Sequence, residues 1–179
     1  PVNEGFVRGY NLAISHTRCP YVLILNTDVF LDRDFLCEAL GAICTSPEIG
    51  SVAARIYRAD TDRIDYVGLY LRRRLQVVNS RNISEPEFVF SGSGSALFCR
   101  RAMLEDVRLS SEYLDDTFFA YWEDVDLAWR AQLRGWRCLF APAAVAHHIG
   151  SASQGGQVHL VNKSAFIQRH AWKNRYLIL

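Results

Sequence analysis

No acidic residue follows Asp126, whereas Arg130, Arg134, Arg137, Lys163, Arg169, Lys173 and Arg175 all do. The net charge is only +1, so the charge is segregated rather than large. The last third is then a basic surface suited to a compact anion such as a diphosphate or to an acidic membrane face, unless it folds against the acidic first part; no nucleic acid is expected. No apolar run reaches the roughly 18–20 residues of a membrane-crossing helix. Cys19, Cys37, Cys44, Cys99 and Cys138 are odd in number and contain no Cys-x-x-Cys pair. Most lie in apolar surroundings, so they read as reduced core cysteines in a cytosolic setting. There is no signal peptide, because Pro1 opens directly into polar sequence. An initiating Met is also absent, and residue 1 is expected to be an internal position of a longer, excised or processed chain. With neither repeat nor linker, residues 1–179 are expected to form one domain.

What is present is most concentrated at Tyr121-Trp122-Glu123-Asp124-Val125-Asp126-Leu127. Three carboxylates fall within four positions, directly behind the aromatic run Phe118–Trp122. Neighbouring carboxylates beside apolar rings raise one another's pKa by repulsion and desolvation, which suits a general base or a metal neighbour. The alternative is a helix start, with the acids at the positive end of the dipole and Asp126 paired to Arg130 at i+4.

Alternating patterns predict an α/β fold. Phe6, Tyr10, Ala13 and Ile14 recur at helical spacing over 5–18. Tyr21–Leu25 reads as a central parallel strand ending in Asn26-Thr27-Asp28. Asp32 is expected to cap a second helix through Leu36, Leu40 and Ile43, and a strand covers Ile49–Ile56. A hairpin spans 64–79, with Arg72, Arg73 and Arg74 at its bend. Ser91-Gly92-Ser93-Gly94-Ser95 interrupts a strand-like segment, which implies close approach by a ligand or another backbone. Helices follow near 100–107 and 123–134, with Gly135 as a stop, then a strand Trp136–Phe140 ended by Pro142 and a short strand at Val145–His148. A Gly/Ser-rich loop (150–156) leads into a basic helix from about His159 to the end. Together these predict a mostly parallel sheet flanked by helices, with ligands beyond the carboxyl ends of the strands.

Asp28 and the His147-His148 pair stand at such ends. Asp28 can offer a hard oxygen to Mg²⁺ or Mn²⁺, and either His147 or His148 an imidazole; so sparse a cage borrows further ligands from substrate phosphates. Asp124 could then deprotonate a hydroxyl nucleophile while the metal stabilises a departing diphosphate.

Beyond this reading, Asn3-Glu4-Gly5-Phe6-Val7-Arg8-Gly9-Tyr10-Asn11 resembles the Asn-x-Gly-Phe-Ala-x-Gly-x-Asn signature of family 2 glycosyltransferases, rhamnosyltransferase-like branch. Leu25-Asn26-Thr27-Asp28-Val29 is similar to that family's Leu-Asn-Pro-Asp-Val, with Thr27 in place of Pro. Leu114–Leu127 matches its Asp-Glu-x-Phe-Phe-x-Tyr-x-Glu-Asp-x-Asp-Leu block. Gly135-Trp136, Pro142 and His147-His148-Ile149-Gly150-Ser151 fall where the family has counterparts. The resemblance, which runs from residue 3 to about 176, implies a GT-A fold related to the Rossmann fold and inverting sugar transfer from a nucleotide diphosphate to a glycan or polyprenyl-diphosphate-linked acceptor. It implies Asp28 and His147 as metal ligands and Asp124 as base, with Glu123 beside it. Asn3, Arg8, Gly9, Asn11, Asn26, Gly92, Ser93, Gly94 and Trp122 are the expected substrate contacts. The family's first strand, which precedes this signature, has no counterpart after Pro1, so the fold is expected to be incomplete at its N-terminus. Alternatives are a non-catalytic remnant that binds a glycan or membrane partner, and a sugar nucleotidyltransferase, which should carry a Gly-rich basic loop not visible here. The expected location is cytoplasmic, free or peripheral on the cytoplasmic face of a membrane.

Overall fold

The computed structural model describes residues 3–59, 61–72, 76–80, 83–149 and 164–178. Arg73, Arg74, the loop 150–156 and the first part of the expected basic helix, including Lys163, lie outside them. In chain order the elements are α1 (Gly5–Ser15), β1 (Tyr21–Leu25), β2 (Val29–Leu31), α2 (Phe35–Cys44), β3 (Ile49–Arg58), β4 (Ile64–Tyr66), β5 (Gly68–Arg72), β6 (Gln76–Ser80), β7 (Glu87–Val89), β8 (Ala96–Arg100), α3 (Arg101–Asp106), α4 (Glu123–Leu133), β9 (Arg137–His148) and α5 (Ala165–Leu177), with one 3-10 turn at Asp116–Phe118.

The α/β expectation holds, but the sheet is mixed rather than mostly parallel. Its order is β1-β8-β3-β9-β2, with β4 on β3 and β7 on β9, while β5 and β6 form a separate hairpin. Among the described strands only β3 and β9 pair in parallel. The α2 crossover does return β3 in the direction of β1. The short strands after β3 then turn the chain, so β8 enters between β1 and β3 running the opposite way. Strand-by-strand patterning carries no record of such an insertion.

Helices cover both faces, and β8 shows why. Leu97 and Cys99 belong to a core with Val7 and Ile14 of α1, Met103, Leu104 and Leu127. Ala96 and Phe98 point to the other core, with Phe35, Ala39 and Ile43 of α2. Side chains alternate across a strand, so a double-sided apolar run needs two partners. Truncating fully buried Phe35 would cost about 3–5 kcal/mol.

Three local expectations are corrected. The strand predicted to end at Pro142 continues as β9 to His148, because pairing with β3 jumps from Ala54↔Ala141 to Arg55↔Val145. Pro142, with no N–H to give a ladder, sits in that bulge. The residue before α2 is Asp34, not Asp32, and its side chain makes no cap bond. Cys99 and Cys138 are buried, burial pushing the Cys138 thiol up to about 11, but Cys19, Cys37 and Cys44 are exposed. Gly135 ends α4 as expected, at φ +87°, with the Gly135 and Trp136 N–H groups donating to Gln132 and Ala131. No described helix is long and apolar enough to cross a membrane.

Candidate active site

β1, β3 and β9 share one direction, and their carboxyl ends carry Asp28, Arg58 and His148 to the same edge. Asp28 lies in the turn between β1 and β2, where its carbonyl accepts from Ile149 N–H at 3.0 Å. Its carboxylate meets His148, Nε2 to Oδ1 at 3.4 Å. The other His148 nitrogen, Nδ1, is 2.9 Å from Oδ2 of Asp65 on β4, and Arg58 stands 3.9 Å from Asp65. His147 is not part of this group. It faces Asp32 at 3.0 Å and stacks on Tyr57. Consecutive strand residues point to opposite faces, so one histidine of the pair can join Asp28 and the register selects His148. The structure thus sets His148, rather than the expected His147, against the Asp28 carboxylate.

The second acidic group begins α4. The preceding turn is strained: Phe119, Tyr121 and Trp122 have φ of 60°, 71° and 74°, at about 1–3 kcal/mol each for a non-glycine residue. Glu123 is 8% exposed, and its Oε2 has no partner among the described residues. Burial first, and the neighbouring Asp124 charge second, push its carboxyl up to about 8. Asp124 is half-buried, and burial raises its pKa too, against the hydrogen bonds it accepts. Those come from Gly94 N–H to Oδ2 and Val125 N–H to Oδ1, both at 2.9 Å. Asp126 turns away to Arg130, 2.7 Å to Nη2, in the i,i+4 pair.

The small-residue run is built for backbone approach. A Cβ on Gly92 would lie 2.9 Å from the Cα of Ala53, and one on Gly94 3.3 Å from Glu123 Oε1. Ser93 and Ser95 bond each other through their hydroxyls. Ser95 accepts from Asn26 N–H at 2.9 Å, and Gly94 donates to Asp124, so consecutive residues touch the Asp28 turn and the Asp124 carboxylate. Elsewhere the expected substrate contacts divide. Gly9 borders open space. Asn3 accepts from Gly5 N–H. Trp122 packs half-buried on the α1-side core. Arg8 is paired with Asp116. Asn11 spends its amide on the 113–116 segment, donating to Leu114 and Asp116 and accepting from Tyr113 and Leu114.

Sequence reasoning missed Asp65 and Asn174. Asp65 sits in a three-residue strand with no motif. Asn174 lies seven residues after Ile167, and the two are the buried residues of α5; a polar side chain on the inward stripe of an amphipathic helix was the available signal. A groove of about 740 Å³ lined by Phe88, Phe90, Trp129 and Trp136 lies by the C-terminal half of α4 and includes none of these acids.

The chain is 26% identical to glucomannan 4-beta-mannosyltransferase 2 of Arabidopsis thaliana over 96% of its own length and 29% of that protein's. It superposes on the crystal structure of GalNAc-T7 with UDP, GalNAc and Mn²⁺ at a TM-score of 0.69, with 13% identity, covering 97% of this chain and 37% of that one. That likeness shows the GT-A fold. The chain thus spans about a third of the length of either relative. The model of the family described as glycosyl transferase family group 2 matches residues 21–175, and the chain belongs to that family.

Proposed function

We propose that the chain is the catalytic core of an inverting glycosyltransferase, moving a sugar from a nucleotide-diphosphate donor to a hydroxyl of a glycan or lipid-linked acceptor. The observation that carries this reading is the Gly94–Ser95 peptide, which contacts the Asp28 turn through Ser95 and the Asp124 carboxylate through Gly94. A group suited to a divalent cation, which would carry the diphosphate, and a group suited to a proton thus flank one unit.

Asp124 is the base. It takes the acceptor's hydroxyl proton as the new C–O bond forms opposite the departing diphosphate, and a single in-line displacement of this kind inverts the anomeric centre. Its raised pKa favours that transfer, and Gly94 N–H holds one oxygen so that the carboxylate cannot swing. Glu123, neutral at pH 7 with its carboxyl near 8, leaves Asp124 as the charged member of the pair.

The donor set at the strand ends fits Mg²⁺ or Mn²⁺. With the Nδ1–H of His148 given to Asp65, its Nε2 lone pair faces an Asp28 oxygen at 3.4 Å, and two acceptors so placed need a proton or a cation between them. No group of three or more His, Cys, Asp or Glu able to hold a metal occurs among the described residues, so Asp28 and His148 would hold it together with substrate oxygens. Such an ion would supply positive charge to the leaving diphosphate. Mn²⁺ and UDP in the GalNAc-T7 structure and the name of the Arabidopsis mannosyltransferase support this donor class. On α5, Trp172 and Tyr176 are exposed beside Arg169 and Lys173, which supports a lipid-diphosphate acceptor met at an anionic, cytoplasmic membrane face.

The test is turnover of a panel of GDP-, UDP- and dTDP-sugars by the intact protein, with the product anomer assigned by NMR. An anomer inverted from the donor, formed by wild type and lost in Asp124→Asn, is expected. A retained anomer would sink the mechanism.

A further inference from the structure

The turn that launches Glu123 and Asp124 is held from the far end of the chain. The Asn174 side chain, 0% exposed, places Nδ2 2.8 Å from the Phe118 carbonyl, 2.8 Å from Ala120 and 2.7 Å from Tyr121. Three carbonyls around one terminal atom identify it as the nitrogen, since an oxygen there would face three oxygens. An NH₂ has two hydrogens, so one of them is shared. The amide oxygen has no partner among the described residues. Asn174 is therefore placed for its donors rather than as a generic polar filler.

We propose that Asn174 is a positioning residue for Asp124, acting through the Phe118–Trp122 turn; this rests on the reading of Asp124 as base. The turn carries three non-glycine residues at positive φ, a conformation the local chain does not favour on its own. Asn174 binds the carbonyls on either side of the first of these, Phe119, and the carbonyl of the second, Tyr121. Without a donor, three carbonyl oxygens would converge on one buried point with nothing to satisfy them. Other contacts clamp the same turn. Phe119 accepts from Val7 N–H and stacks on His170 of α5, and Lys173 reaches the Thr117 carbonyl at 2.7 Å. The dihedrals of Tyr121 and Trp122 set the direction in which α4 leaves. Asp124 lies in its first turn, so the Gly94–Asp124 contact depends on them. Displacement of a reacting group by about 1 Å costs on the order of 100-fold in rate.

The alternative is that Asn174 merely docks α5, a task it would share with Ile167. Asn174→Leu keeps the branched shape and the number of side-chain heavy atoms and removes both donors; Asn174→Ser keeps one donor and is judged by the same criteria if the Leu variant does not fold. Ile167→Ala loosens the helix while leaving the Asn174 donors in place. In the intact protein, Asn174→Leu should speed amide hydrogen exchange over 119–126 by tenfold or more and leave β1 and β3 at wild-type rates. It should lower kcat about 10- to 100-fold with donor KM within about threefold, on whichever sugar of the nucleotide-sugar panel the wild type consumes. In an Asp124→Asn background it should cost nothing further. Unchanged exchange over 119–126, an equal effect from Ile167→Ala, or a loss that multiplies with Asp124→Asn would overturn the proposal. Near-normal turnover by Asp124→Asn alone would instead remove the base assignment, and the exchange data would then judge the clamp by itself.

Discussion

The two acidic groups of this site are positioned by opposite means. Asp28, His148 and Asp65 come from strand ends and a strand turn, where ladder register places each side chain and unstrained backbone suffices. Glu123 and Asp124 follow a strained turn tied to a helix more than 40 residues away. In the first group the Asp28 carboxylate keeps about a quarter of its side-chain surface exposed, against 13% for His148 and Asp65. The second is withdrawn from water, where a carboxylate's basicity can be raised. A site that must bind and release a charged ligand can rest on register, whereas a base whose pKa and aim both matter needs burial and a clamp.

The comparison breaks most sharply at Asp124. Asp124→Asn should lower turnover by about 10²–10⁴, with donor binding and Tm close to wild type. If turnover stays near normal while Glu123→Gln abolishes it, the roles within the pair are reversed. At the strand ends, Asp65→Asn should weaken Mn²⁺ binding about 10- to 100-fold, measured by electron paramagnetic resonance with nucleoside diphosphate present, while Asp32→Asn leaves it unchanged. Equal effects would mean that register does not choose between the histidines.

The Glu123 carboxyl sharpens the contrast through pH. Its pKa is raised from an ordinary 4.5 to about 8 on folding. The unfolded chain therefore releases this proton first, so the stabilisation present below about 4.5 is lost as pH rises through about 8. Glu123→Gln cannot ionise. Its Tm advantage over wild type should appear above pH 4.5, grow to about pH 8 and then level off in thermal melts; a constant gap from pH 4 to 9 would mean that the carboxyl is not held neutral. The smallest effect is expected on α5. Arg169→Glu should reduce co-sedimentation with anionic liposomes by a few fold at low salt, since each basic residue near such a surface adds on the order of 1 kcal/mol. Indifference to lipid charge would leave α5 only its packing role.

Legibility in the sequence follows the same division. The Glu123-Asp124 block, the end of β1 and the stop at Gly135 are local patterns and were readable. The choice of His148 over His147 was not, because it depends on which face of β9 meets Asp28, and a bulge at Pro142 lies between that end of the strand and its start. The antiparallel insertion of β8 was hidden for a similar reason: the pairing order of strands is not written in any one of them. Asp65 and Asn174 act on residues 83 and more than 50 positions away. Spacing on α5 marks Asn174 as an inward-facing polar residue, but what it and Asp65 bind is set by tertiary packing that no local pattern records.

Strand β8 also makes catalytic alignment a by-product of folding fidelity. Its odd and even residues serve different cores, so a one-residue slip would place Phe98 where Leu97 belongs and Leu97 where Phe98 belongs, spoiling both layers at once. The same slip would carry Gly94 and Ser95 one position along, away from Asp124 and Asn26. Misregistered molecules are thereby penalised at folding, and the correctly paired ones already hold the Asp124 carboxylate and the Asp28 turn in step. A single-residue insertion between Ser91 and Ser95 could leave both cores intact and still uncouple the two halves of the site, producing a well-folded protein without turnover.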